Sequence, residues 1–246
     1  MTLNKTIIGI VLSTLFLGAA FQVQAASSLL TSIEAYYQFQ GNSTDATGNG
    51  HNGTDTSMSY SAGNGKILQG GGFSSSQIAS TITGRSVFSV SCWFKATNVS
   101  TGSSQTVWEH RNAGNTTDYD VAVGGTGKVL LESFTPYLPI TGATTLTNGV
   151  YYNVVAVVNG ASSILYLNGV SDGTGTLNTF TAGNNFYIGA NAGVANTPFT
   201  GSIDECGYWN RTLTQAEVTE LYNGGAGLSY PFTPASTFNF WQFLDF

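Results

Sequence analysis

Apolar and polar residues alternate over short stretches along most of the chain, and turn residues separate the stretches. Alternation with period two is the signature of a strand with one buried face. It predicts a first aromatic strand over residues 35–39, followed by a long Asn/Gly/Ser/Thr loop over 41–53. Shorter runs fall near 66–69 and 73–79. Clearer strands are predicted over 86–95, 105–111, 119–123, 128–134, 150–158, 163–167, 185–188 and 202–209. Asn159-Gly160 and Asn168-Gly169 make 150–170 the best hairpin signal in the chain. Helical spacing stands out in one place. Thr214-Gln-Ala-Glu217 is a capping box, Val218, Leu221 and Tyr222 give an apolar face, and Asn223-Gly224-Gly225 is a stop. So short a helix must pack on the strands to persist. The expectation is one all-β sandwich over 27–232 with one short C-terminal helix.

The amino end changes the picture of where this domain works. Lys5 precedes an apolar run from Ile7 to Ala20, and Val23-Gln24-Ala25 closes it. That order reads as a secretory signal over 1–25, and the run is shorter than a spanning helix needs. The expected product is secreted or held at the cell surface.

Charged residues make up 8% of the chain, and its net charge of −6 rests on only seven basic residues. That excludes the electrostatic footprint of a nucleic-acid binder. Cys92 and Cys206 are too few for a disulfide scaffold or a cysteine-rich zinc site. They are either two small buried residues or a bridge between neighbouring strands. Alternation places Val90, Cys92 and Phe94 on one face, and Asp204, Cys206 and Tyr208 on another.

Several motifs carry a family resemblance over about residues 33–232. Tyr37-Gln-Phe39-Gln-Gly41 leads into Asp45-Ala-Thr-Gly48-Asn-Gly50, and Phe88-Ser-Val-Ser-Cys-Trp93-Phe-Lys95 follows as a central strand. Ile164-Leu-Tyr-Leu-Asn168-Gly169 makes the hairpin. Phe199-Thr-Gly201-Ser-Ile203-Asp204-Glu205 then runs to Tyr208-Trp-Asn210-Arg211 and the capped helix. In this order the motifs resemble a laminin G-like domain of the concanavalin A-like jelly-roll superfamily. The resemblance implies two facing antiparallel sheets, one of them concave, and a mostly non-catalytic domain that binds glycans or proteins outside the cell. It also implies a structural Ca²⁺ held by Asp204 and backbone carbonyls, with Asp45 in the Asp/Gly loop as a second source of ligands. The plainer reading is that Asp204 caps a loop and Asp45 makes an Asx-turn.

Catalytic chemistry is thinly represented. Glycoside hydrolases of this superfamily carry Glu-x-Asp-x-x-Glu along one strand, and no such triplet occurs here. Asp204 and Glu205 are adjacent and on a regular strand would face opposite ways. His51 and His110 read as loop or rim residues, no Gly-x-Ser-x-Gly elbow is present, and Asp118-Tyr119-Asp120 reads as a loop and strand start. The expectation is therefore a non-enzymatic recognition module. A cryptic glycoside hydrolase is a remaining alternative.

A glycan surface needs aromatic rings beside polar groups. Trp108, Glu109, Arg111, Tyr119 and Tyr137 are the ligand-binding candidates, with Tyr187 and Asn112 as neighbours, while Trp93 and Trp209 are assigned to structure. The tail over 233–246 departs from the family: Phe238, Phe240, Trp241, Phe243 and Phe246 crowd its last nine residues. It could dock on its own domain, pair with a partner's edge or carry a sorting signal. It also supports a rival reading, a structural or assembly subunit that self-associates through this tail.

Overall fold

The computed structural model describes residues 27–82, 84–112, 116–179, 183, 185–189 and 197–233. The expected signal segment and the five aromatic tail residues lie outside them. The described strands are β1 (Ile33–Tyr37), β2 (Thr54–Thr56), β3 (Ser59–Ser61), β4 (Gly70–Ser74), β5 (Gln77–Thr81), β6 (Phe88–Ala96), β7 (Gln105–Arg111) and β8 (Thr117–Val123). They continue with β9 (Val129–Ser133), β10 (Leu138–Thr141), β11 (Tyr152–Val158), β12 (Ser163–Leu167), β13 (Val170–Gly175), β14 (Asn185–Ile188) and β15 (Thr200–Trp209). The helix α1 (Gln215–Tyr222) follows.

These strands form two antiparallel sheets facing each other. Sheet A runs β13-β12-β11-β6-β15-β4-β3, with β1 also paired to β15. Sheet B runs β10-β9-β8-β7-β14-β5-β2. The main core lies between the sheets and is rich in aromatic rings. Phe88 meets the rings of Trp108, His110, Tyr119 and Tyr208 at 5.3–6.3 Å between centroids.

Sheet A is covered on its outer side as well. Helix α1, Leu29 and Phe232 bury Tyr36, Val155, Val157, Tyr166 and Trp209 beneath them. A strand buried on both faces needs no alternation, which accounts for the continuous apolar run of β11. The helix starts on its capping box: Glu217 N–H donates to Thr214 Oγ1, and Thr214 N–H donates to Glu217 Oε2. Asn223 ends it in the left-handed region (φ 47°). Trp93 faces outward under this layer and stacks on Tyr222 at 5.8 Å.

Strand β15 breaks its alternation. Its register against β6 shifts between Asp204 and Gly207, and Glu205 takes φ 49°. The extra residue is a β-bulge. Ile203, Cys206 and Tyr208 therefore face the inter-sheet core, whereas Asp204 and Glu205 do not. The expected common face for Asp204, Cys206 and Tyr208 is corrected by this bulge. Gly207 is required there, because a Cβ would stand 2.5 Å from the Trp209 ring. Cys92 and Cys206 are bonded across β6 and β15, with Cα atoms 4.2 Å apart.

Candidate functional site

Among the described residues no helix lies on the outer face of sheet B, although Glu109 and Arg111 on that face are fully buried. Registered residues there form a row across four strands: Tyr187 opposite Glu109, Glu109 opposite Asp120, and Asp120 opposite Glu132. Alternation produces this row. In β8, Tyr119, Val121 and Val123 point into the core, so Asp118 and Asp120 point away.

Glu109 and Arg111 close one end of the row. Arg111 Nε donates to Glu109 Oε1 at 2.8 Å, and Thr117 Oγ1 donates to Glu109 Oε2 at 3.0 Å. The guanidinium also stands over the Tyr187 ring at 5.0 Å. At the other end, Asp120 and Glu132 sit in a cavity of about 420 Å³ whose wall includes Phe134, Tyr137 and Thr197. Tyr137 is 55% exposed, and its hydroxyl donates to Glu132 Oε1. Asp120 is 4% exposed, and its Oδ1 has no hydrogen-bond partner among the described residues. Burial, and then the charge and hydrogen bond of Glu132, hold Asp120 well above the usual carboxylate range.

The sequence-predicted residues divide between two faces. Glu109, Arg111 and Tyr137 lie on the outer side of sheet B. Trp108 and Tyr119 do not. Both are fully buried between the sheets, and the Tyr119 hydroxyl donates to the Asn178 carbonyl. Their assignment to a ligand surface is corrected: the register shift between Thr106 and Trp108 turns Trp108 inward, and alternation turns Tyr119 inward. His110 is likewise no rim residue but a core ring. Asp120 and Glu132 were missed, although Asp118, Asp120 and Ala122 already alternate with Tyr119, Val121 and Val123 in the sequence.

The expected calcium ligands fare differently from each other. Asp45 is filled by donors: Tyr36 N–H, Thr47 N–H and Thr47 Oγ1 on Oδ1, and His51 N–H on Oδ2. That set does not suit a cation. Asp204 Oδ2 accepts from Lys66 N–H and Ile67 N–H, but its Oδ1 is buried without a partner; Glu205 is buried beside the Tyr36 and Ser229 hydroxyls. Burial pushes Asp204 up to about 7; burial and the charge of Asp204 push Glu205 up to about 8. Two adjacent hard carboxylates, one with an unfilled oxygen at Asp204 Oδ1, suit Ca²⁺. Among the described residues no group of three acidic, His or Cys side chains gathers for a metal. Further ligands at this place would therefore be backbone carbonyls or water.

A laminin G-type sequence family, described as the concanavalin A-like lectin/glucanases superfamily, matches residues 69–219. The chain belongs to this superfamily. No curated protein matches it. Among solved structures, domain 4 of AbnA, an extracellular GH43 arabinanase from Geobacillus stearothermophilus solved with arabinotriose, is 25% identical with a TM-score of 0.65. The match covers 77% of this chain and 97% of that domain. The binding domain of Paraclostridial Mosquitocidal Protein 1 is 15% identical (TM-score 0.66), and that of botulinum neurotoxin serotype D is also 15% identical (TM-score 0.61). Each match covers 80% of this chain, which spans 53% of either toxin domain; these two share the superfamily's fold.

Proposed function

We propose that this chain is an exported, non-catalytic binding module that holds a glycan against the outer face of sheet B. The observation that carries the reading is the Asp120–Glu132 cavity beside the exposed ring of Tyr137, on the outer face of sheet B, where no helix lies among the described residues. Oligosaccharides offer hydroxyl donors to carboxylates and apolar C–H faces to aromatic rings. The likeness to an arabinanase domain solved with arabinotriose supports the same ligand class. A larger cleft of about 660 Å³ on sheet A, near Asn64, Lys95 and Ser202, lacks a buried unpartnered group and carries one aromatic ring, Phe73. Export rests on the signal-like start, and among the described residues no helix is long and apolar enough to cross a membrane.

Binding of the full chain to an oligosaccharide array, followed by titration calorimetry, tests the reading. Tyr137→Ala is expected to weaken the best ligand about tenfold, or roughly 1.4 kcal/mol. Unchanged affinity in that variant would place the ligand elsewhere.

We further propose that Asp204 and Glu205, rather than Asp45, hold a structural Ca²⁺ together with non-side-chain oxygens. Bound calcium keeps both carboxylates ionised and ties β15 to the 65–67 segment. Millimolar calcium is expected to raise Tm by several degrees, and Asp204→Asn to abolish the rise. A Tm indifferent to calcium and chelator contradicts this.

A further inference from the structure

The cavity on sheet B holds two facing carboxyl groups that no cationic side chain among the described residues pairs. Glu109 is matched by Arg111 at 2.7 Å. Asp120 and Glu132, directly opposite each other on β8 and β9, have no ion-pair partner among the described residues. Asp120 lines the cavity, and its Oδ1 is buried without a hydrogen-bond partner. The rings of Phe134 and Tyr137 form a corner of the same cavity, with centroids 5.6 Å apart and planes 43° apart. A buried acidic pair beside two ring faces is the arrangement that attracts an organic cation: the carboxylate supplies charge and the ring quadrupoles add to it.

We propose that this cavity is an ammonium-binding pocket, which, on the carbohydrate reading above, makes the ligand a glycan bearing free amino groups. A neutral hydroxyl would satisfy Asp120 Oδ1 but leave the buried charge uncompensated. An anionic sugar would add to it. An ammonium does both tasks, donating up to three hydrogen bonds and neutralising the pair. The raised proton affinity of Asp120 is consistent with this, because a proton takes the cation's place when the pocket is empty. Binding an amine that is already protonated should therefore expel the pocket's proton to the buffer, so the titrations are run below the amine's own pKa; binding a neutral sugar should expel none. The ionisable groups on the row are Tyr187 from β14, Glu109 and Arg111 from β7, Asp118 and Asp120 from β8, Glu132 from β9 and Tyr137 from the turn before β10.

The test is calorimetry of the full chain with four probes: oligomers of glucosamine, N-acetylglucosamine, arabinose and galacturonate. Each is measured in two buffers of different ionisation heat. The expected result is glucosamine oligomers binding at least tenfold tighter than the N-acetylated ones, with proton release, and no binding of galacturonate. Asp120→Asn should erase both the preference for glucosamine oligomers over N-acetylated ones and the proton release. Tyr137→Leu, an exposed change that spares the core, should weaken the glucosamine oligomer several-fold. Equal or tighter binding of N-acetylated or neutral oligomers overturns the proposal and leaves the carbohydrate reading standing. Methylammonium shifting the Asp120 and Glu132 amide resonances, with no oligosaccharide bound, does the reverse. No response to any probe overturns both.

Discussion

His110 illustrates how one side chain can be read from its neighbours in sequence and still be misplaced. It lies between Glu109 and Arg111, which suggests a polar rim. Alternation puts it with Trp108 on the opposite face, and the sheet packing makes that face the core. Its ring meets Phe88, Phe186 and Tyr208 at 5.1–5.3 Å, and its Nδ1–H donates to the Gly183 carbonyl. Burial pushes its pKa down to about 3. The native state then refuses a proton that the unfolded chain accepts near pH 6.5. Stability falls as pH drops below 6.5, by about 2 kcal/mol at pH 5. His110→Phe should flatten that part of a denaturation-versus-pH curve; an unchanged slope would mean that His110 is charged in the fold. The same logic explains why Asp120 and Glu132 escaped the sequence reading. Alternation shows which residues share a face, but only the position of the second sheet shows which face lies outside the core.

Helix α1 was legible because its determinants lie within a few residues of one another. The Thr214–Glu217 capping box spans four positions and needs no tertiary partner to be recognised. What the sequence could not show is the Arg211 fork onto Glu217, at 2.7 and 2.9 Å. Burial alone would raise the Glu217 pKa, but hydrogen bonds led by Arg211 outweigh it and bring the pKa down to about 2. That contribution is present above about pH 4.5 and is lost as pH falls toward 2. Thr214→Ala should cost about 1 kcal/mol in urea unfolding. Glu217→Gln should also lose the acid-dependent part, and no loss in either variant would make the cap incidental. The strands that went unpredicted are β2, β3, β10 and β13. The first two are three residues each and largely exposed. β10 carries Pro139, which suits an edge strand and hides it from pattern reading. A run of Ser, Asp, Thr and Gly conceals β13.

For the whole molecule, two layers were predictable from strand after strand and from the ordered family motifs. The β15 bulge was not, because one inserted residue leaves composition unchanged while moving Asp204 and Glu205 out of the core pattern. The Cys92–Cys206 bond closes a separation of 114 residues through the two central strands of sheet A. In the chain-entropy picture a loop of that size is worth roughly 4–5 kcal/mol. The Cys92→Ser/Cys206→Ser double variant should accordingly unfold at much lower denaturant, while reducing agent should leave its midpoint unmoved. A midpoint equal to that of the native chain would show the bond to be absent or without effect.

The central claim is that ligand meets the outer face of sheet B. Its most direct measurement is an amide chemical-shift titration of the isotope-labelled full chain with the tightest oligosaccharide from the array. Perturbations concentrated on Glu109, Asp120, Glu132 and Tyr137 are the predicted result. Shifts confined to the Asn64, Lys95 and Ser202 cleft of sheet A, with these four residues silent, would contradict it.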